Sequence, residues 1–162
     1  MKKFLIAAVL CLMAIGAQAQ NYDWALGIRG GGNSSGVTFK HILSDYNAIE
    51  VTFDYWYPKD NMVRGEGLSA LYEWNSPIFT NGFILYYGFG AHAGSRTLEK
   101  TKSDGVTERV GRLGIGADGV VGIEYKLHNA PVAFSLDYRP FFNLLPFTTF
   151  FGNVGLGVKV CF

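Results

Sequence analysis

Few residues in this chain are placed to do chemistry. His92 and Ser95 offer a base and a hydroxyl nucleophile, the beginnings of an acyl-transfer or hydrolytic site. Their spacing works against it, because residues three apart on a strand point to opposite faces. The run "GIGADG", Gly114 to Gly119, is a literal G-x-G-x-x-G. A dinucleotide site needs that run to leave a strand and open a helix, with phosphate at the helix N-terminus. Here a charged stretch precedes it and the strand-like "VVGIEY" follows. Its glycines therefore read as relief of side-chain crowding or as points of strand bending. Asp118, Glu124 and Asp137 could gather around a cation, but ion pairing with Lys126, Arg139 and Lys159 is the simpler account. His41, His92, His128 and Cys161 lack metal-ligand spacing. No catalytic residue, cofactor or metal ligand is assigned on these grounds, and Asn33-Ser34-Ser35 reads as a polar turn rather than a glycosylation acceptor.

The elements that would position these residues are strands. The first residues, "MKKFLIAAVLCLMAIGAQAQ", have two lysines, a short apolar run and an Ala17-Gln18-Ala19 ending, the pattern of a cleaved secretory signal. This predicts a signal peptide over 1–19 and one domain over 20–162. Cys11 leaves with the signal and Cys161 has no partner, so no disulfide holds the domain. No later run is long and apolar enough for a spanning helix. The net charge of +1 gives no argument for nucleic acid. Glycine is abundant at 21 residues, and aromatics make up 15%.

Period-two alternation recurs between turn residues and predicts eight strands. They lie near Tyr22–Gly31, Gly36–Leu43, Ala48–Tyr57, Gly67–Asn75, Gly82–Gly94, Gly111–Leu127, Pro131–Pro140 and Phe150–Phe162. Short and long connections nearly alternate, as in an up-and-down barrel with one plain and one elaborated rim. Each strand has an apolar and a polar parity. The last places Val154, Leu156, Val158, Val160 and Phe162 opposite Asn153, Gly155, Gly157, Lys159 and Cys161. A soluble barrel would turn the apolar parity inward and a membrane barrel would turn it outward.

Three features favour the membrane arrangement. The polar parity is rich in glycine and small residues, as a narrow eight-stranded lumen requires. Trp24, Tyr55, Tyr57, Trp74, Tyr125 and Phe162 lie near strand ends on the apolar parity, where interfacial girdles belong. The polar parity also carries balanced charge: Arg29, Lys40, Lys126, Arg139 and Lys159 against Glu50, Asp54, Glu73, Asp118, Glu124 and Asp137. Such groups can pair in a lumen where a lone charge is costly. The fold class expected is all-β: an eight-stranded antiparallel up-and-down transmembrane β-barrel. A soluble periplasmic ligand-binding barrel is the alternative.

With its N-terminal signal, eight amphipathic stretches and terminal "GVKVCF", the mature chain resembles the small eight-stranded outer-membrane barrels of the OmpA/OmpX and opacity-type adhesin kinds. "GIGADGVVGIEYKL" and "FSLDYRPFFNL" are similar to stretches in uncharacterised barrels of this kind. The resemblance implies the outer membrane, contact with its lipid and lipopolysaccharide, and a monomer. It also implies that Val158, Val160 and Phe162 form the signal read by the barrel assembly machinery. Cys161 and an uneven second strand depart from the pattern. Some such barrels modify lipid A, but the H-x-S spacing of the deacylase type is missing, since position 94 is Gly. The expected role is structural or surface-binding, through outer loops that meet a lipid or a surface protein partner, with a lumen filled by side chains. A lipid-A-modifying enzyme and a narrow pore are the alternatives. Two loops stand out. Ser95 to Arg112 carries Arg96, Lys100, Lys102, Arg109 and Arg112 against Glu99, Asp104 and Glu108, a modest basic excess suited to lipopolysaccharide phosphates. Phe141 to Phe151 contains five Phe and two Leu, and either forms an exposed contact patch or extends the lipid-facing strands.

Overall fold

A computed structural model describes residues 22–32, 34–57, 62–78, 82–101, 107–145 and 149–162. The signal predicted over 1–19 and Asn33 lie outside them. Eight strands follow in order: β1 Trp24–Gly31, β2 Ser34–Ser44, β3 Asn47–Trp56, β4 Met62–Pro77, β5 Phe83–Thr101, β6 Thr107–Lys126, β7 Val132–Leu145 and β8 Thr149–Cys161. Every neighbouring pair is antiparallel and the sheet closes on itself, β8 pairing with β1 from Ala25↔Cys161 to Gly31↔Gly155. The seam is tied at its end by reciprocal backbone bonds, Trp24 N–H to Phe162 C=O at 3.0 Å and Phe162 N–H to Trp24 C=O at 2.8 Å. Closure leaves no edge along the seam, the requirement for a sheet surrounded by lipid.

The parities segregate as a membrane barrel demands. Outward lie large apolar side chains, among them Ile28, Phe53, Phe89 and Leu156, each more than half exposed. Inward lie Arg29, Lys40, Glu50, Glu73, Glu124, Asp137 and Lys159, all nearly inaccessible. That inversion excludes the soluble barrel, whose exterior must be polar.

The short-turn end gathers the β2–β3 turn at Asp45–Tyr46, the β6–β7 turn and Gly82, which sits at φ +102° ahead of β5. Only glycine adopts that conformation without strain. At the opposite end the rim is uneven. A lipid band of ~25 Å needs roughly ten tilted residues. β1 and β3 have 8 and 10 residues, whereas β5 and β6 have 19 and 20 and so stand well above the others.

This corrects three sequence expectations. Ser95 to Val110 was expected as a loop, but β5 and β6 remain paired out to Thr101↔Thr107. Phe141 to Thr149 was also expected to connect strands, but β7 runs on through Leu145. The fourth strand similarly begins at Met62 instead of Gly67. For β4, β5 and β6 the strand outlasts the bilayer, so the hydropathy alternation fades while the backbone ladder continues. In Phe141–Leu145 the alternation is hidden because nearly every position is apolar.

The phasing predicts that position 158 of β8 accepts an apolar side chain and rejects a charged one. Val158 is 41% exposed on the outer wall. Val158→Lys is expected to destabilise the barrel by ~2–4 kcal/mol near mid-bilayer, and Val158→Leu by far less. Reversible denaturant unfolding in lipid vesicles measures both.

Candidate functional site

The lumen is built by short inward side chains facing long ones. Gly27 stands opposite Lys159, Gly122 opposite Tyr86 and Gly116 opposite His92. A Cβ at each of these glycines would collide with the side chain across from it. Gly65, Gly67 and Gly94 likewise make a bed for the Trp56 indole. These contacts give Gly116 its place in the "GIGADG" run: it makes room for an imidazole in a continuous strand.

A chain of ion pairs occupies the middle of the lumen. Arg29 donates from Nη2 and Nε to Asp137, at 2.5 and 3.0 Å. Arg139 joins Asp137 at 3.3 Å to Glu50 at 2.5 Å, and its Nη1 donates to Thr52. Lys159 then bridges Glu50 at 2.6 Å and Glu124 at 3.0 Å. Lys40 lies 2.9 Å from Glu73 and 3.6 Å from Glu124. Tyr86 lies among them, donating to Asp137 at 3.1 Å with Lys40 4.9 Å from its ring centre. Four cations thus meet four carboxylates, contributed by β1, β2, β3, β4, β6, β7 and β8. Full ionisation leaves this group neutral.

Below it, toward the short turns, Tyr22, Ala25, Ala133 and Cys161 form a small apolar cluster, with Ile42 against it. The Tyr22 hydroxyl donates to Glu124 at 2.7 Å. Lys126 is half-buried at this end with its ammonium 4.4 Å from the Tyr22 ring centre.

Above the network is a chamber of about 40 Å³ whose wall mixes polar groups with Leu68, Leu71 and Phe141. Asp54 and Asp118 line it with Ser34, Ser69, Trp56, His92 and Asn153. His92 Nδ1 lies 2.6 Å from Asp118, and its Nε2 lies 3.0 Å from Asn143 Oδ1. Arg96 donates to the same Asn143 oxygen at 3.3 Å and stacks 5.0 Å above the Trp56 ring. Of the run Phe141 to Phe151, Phe141 meets the His92 ring edge to face, Asn143 is buried, and Phe142, Leu144 and Leu145 are exposed. Its described residues are therefore strand, the end of β7 and the start of β8, with one inner and one outer face up to Asn143.

The aromatics proposed for the girdles fall into two groups. Trp24, Trp74 and Tyr125 are at the short-turn end; Tyr55 and Tyr57 are at the opposite end. Trp24 stacks on His41 at 3.7 Å, while Trp74 packs with Tyr72, Tyr87 and Phe89. Val158 and Phe162 face outward, and Val160 is partly covered.

Sequence parity puts Tyr86, Trp56 and Asn153 on the polar side but gives them no role, and it misses Tyr22 and Asn143. A signal for the two aromatics exists: each is a large ring on a parity otherwise rich in glycine. Asn143 falls in an expected loop, and the bond from Asn153 Nδ2 to Ser34 Oγ at 2.7 Å spans 119 residues.

No protein-family model and no curated protein sequence matches the chain. Solved structures do. The N-terminal β-barrel domain of Pseudomonas aeruginosa OprF is similar with a TM-score of 0.64 at 14% identity, covering 86% of this chain and 95% of that one. Neisserial surface protein A is similar with a TM-score of 0.62 at 13% identity, covering 86% and 93%.

The ion-pair chain predicts strong coupling. Lys159→Met leaves two buried carboxylates each short of a partner and is expected to cost ~3–5 kcal/mol. Adding Glu124→Gln is expected to recover part of that loss. A double-mutant cycle by vesicle unfolding measures the coupling, and additive costs would count against the pairing. Closed topology, inverted parity and structural likeness together make this chain an eight-stranded β-barrel of the outer-membrane type.

Proposed function

We propose that the protein is a monomeric outer-membrane barrel whose lumen is closed by its own side chains and whose raised β5–β6 hairpin is its working surface. The observation that carries the reading is the combination of a neutral, interlocked lumen with two strands about twice the length a bilayer needs. Eight strands leave an interior just wide enough for side chains, and here they bond to one another across it. A structure built for passage would not spend its lumen this way. Beyond the lipid, the hairpin presents Arg109 paired with Glu99 at 3.2 Å, together with Val110 and the strongly exposed Leu113. Basic and apolar groups side by side suit the boundary of a lipopolysaccharide layer or a surface protein partner. Phe162, Val160 and Val158 on the closing strand serve as the contact for the barrel assembly machinery, as the resemblance implies.

Against an enzymatic reading, both ring nitrogens of His92 are engaged, by Asp118 and Asn143. Ser95 is exposed on the opposite parity of β5. Neither is arranged to attack a lipid ester.

Purified barrel in planar bilayers is expected to give no sustained conductance, and steady channels would refute the closed lumen. The mass spectrum of lipid A is expected to be the same in cells with the protein, without it, or with His92→Ala. A shift that needs His92 would restore the enzyme alternative.

A further inference from the structure

The raised hairpin carries two arginines face to face over the lumen. Arg96 of β5 and Arg112 of β6 are directly paired, two inward positions above the pair of His92 and Gly116. They share the lumen parity, and like charges opposite one another on one face of a sheet repel. Arg96 is partly buried, and the groups that meet it are neutral. Its Nη2 donates to Asn143 Oδ1 at 3.3 Å, and its guanidinium lies 5.0 Å over the Trp56 ring. Among the described residues no carboxylate is within ion-pair distance of it. Asp118 holds His92 at 2.6 Å, and Asp54 lines the chamber below with Arg29 and Arg139. Glu66 and Glu99 lie on the outer parity, the latter paired with Arg109. A guanidinium has five N–H donors, and Asn143 takes one of them. A second observation concerns space. Gly65, Gly67 and Gly94 clear the bed of Trp56, which in turn fixes the guanidinium above it. Beneath Arg112, no described side chain from another strand comes within 4 Å of where a Cβ on Gly114 would stand. The place under the two arginines is therefore open.

We infer that Arg96 and Arg112 form a clamp for a phosphate monoester at the mouth of the lumen. Guanidinium forks match phosphate oxygens two at a time. A phosphate monoester carries about −1.5 to −2 charges at neutral pH, so one such group answers two cations where a carboxylate answers one. Binding relieves the repulsion that the strand register imposes. The clamp faces the lumen axis, away from the lipid. Its phosphate therefore belongs to a molecule arriving from the outer medium, not to the lipopolysaccharide around the wall. The inference rests on the reading of the β5–β6 hairpin as the working surface and makes its inner face the binding face.

The test titrates methyl phosphate into the folded barrel in phosphatidylcholine nanodiscs and reads tryptophan fluorescence. Trp56 is the reporter, since Trp24 and Trp74, the other two tryptophans, lie at the short-turn end. A saturable change is expected with methyl phosphate and not with sodium chloride of equal ionic strength, and W56F is expected to lose the signal. R96Q and R112Q are each expected to weaken binding by roughly tenfold or more, whereas K126Q, at the far end of the lumen, is expected to bind as the native barrel does. Adding lipopolysaccharide to the nanodiscs is expected to leave the titration unchanged; competition would overturn the outside source. Folding of each variant is checked by heat-modifiable migration on gels. If a variant does not fold, native crystals soaked in sodium tungstate decide, with an anomalous peak expected between Arg96 and Arg112. No saturable change in the native barrel, native-like binding by R96Q and R112Q, or no tungstate peak between the two arginines overturns the clamp. Binding lost in R109Q but kept in R96Q would also overturn it, while leaving the hairpin as the working surface.

Discussion

Charge burial is the constraint on which the rest of this barrel depends. Arg29, Lys40, Arg139 and Lys159 can be held away from water only because Asp137, Glu73, Glu50 and Glu124 are within ion-pair distance of them. Removing one partner from such a set is far more costly than the set's net contribution to stability. The groups come from seven of the eight strands, so the pairing distances are met together only in the closed barrel. Register and closure are thereby linked: a slip of one residue in any strand would exchange its lumen and lipid faces.

Glycine placement follows from that constraint. A narrow lumen cannot hold long side chains on every inward position. Lys159, Tyr86 and His92 each cross to a glycine, and Trp56 lies over Gly65, Gly67 and Gly94. The abundance of glycine is therefore an account of volume. It gives the interior enough room for bonded polar groups and leaves a chamber toward the end where the raised strands stand.

The two ends divide the work. At the short-turn end, Tyr22 and its apolar neighbours close the bottom of the lumen while Trp24, His41 and Trp74 gather outside. At the other end the ladder of β5 and β6 outlasts the membrane. There the outer face carries charge as well as apolar groups, because lipid no longer selects it. The proposed working surface lies at that end, where side chains are free of the bilayer's demands.

The sequence by itself determined the strand count, the parity of each strand and the inversion of its faces, because alternation is a local property and lipid imposes it on every membrane-crossing strand. It also placed Arg29, Glu50, Asp137 and Lys159 on the polar parity. It misjudged Ser95 to Val110 and Phe141 to Leu145, because backbone pairing can continue where hydropathy no longer alternates. Only the tertiary structure decided which charges meet. Arg139 reaches Glu50 across 89 residues and Arg29 reaches Asp137 across 108, separations that no spacing rule encodes. It also decided that His92 belongs to Asp118 and that Asp54 takes its hydrogen bonds from Ser34 and Ser69, since both depend on register around a closed sheet. Parity says that a residue faces the lumen; closure alone sets its height and its neighbour.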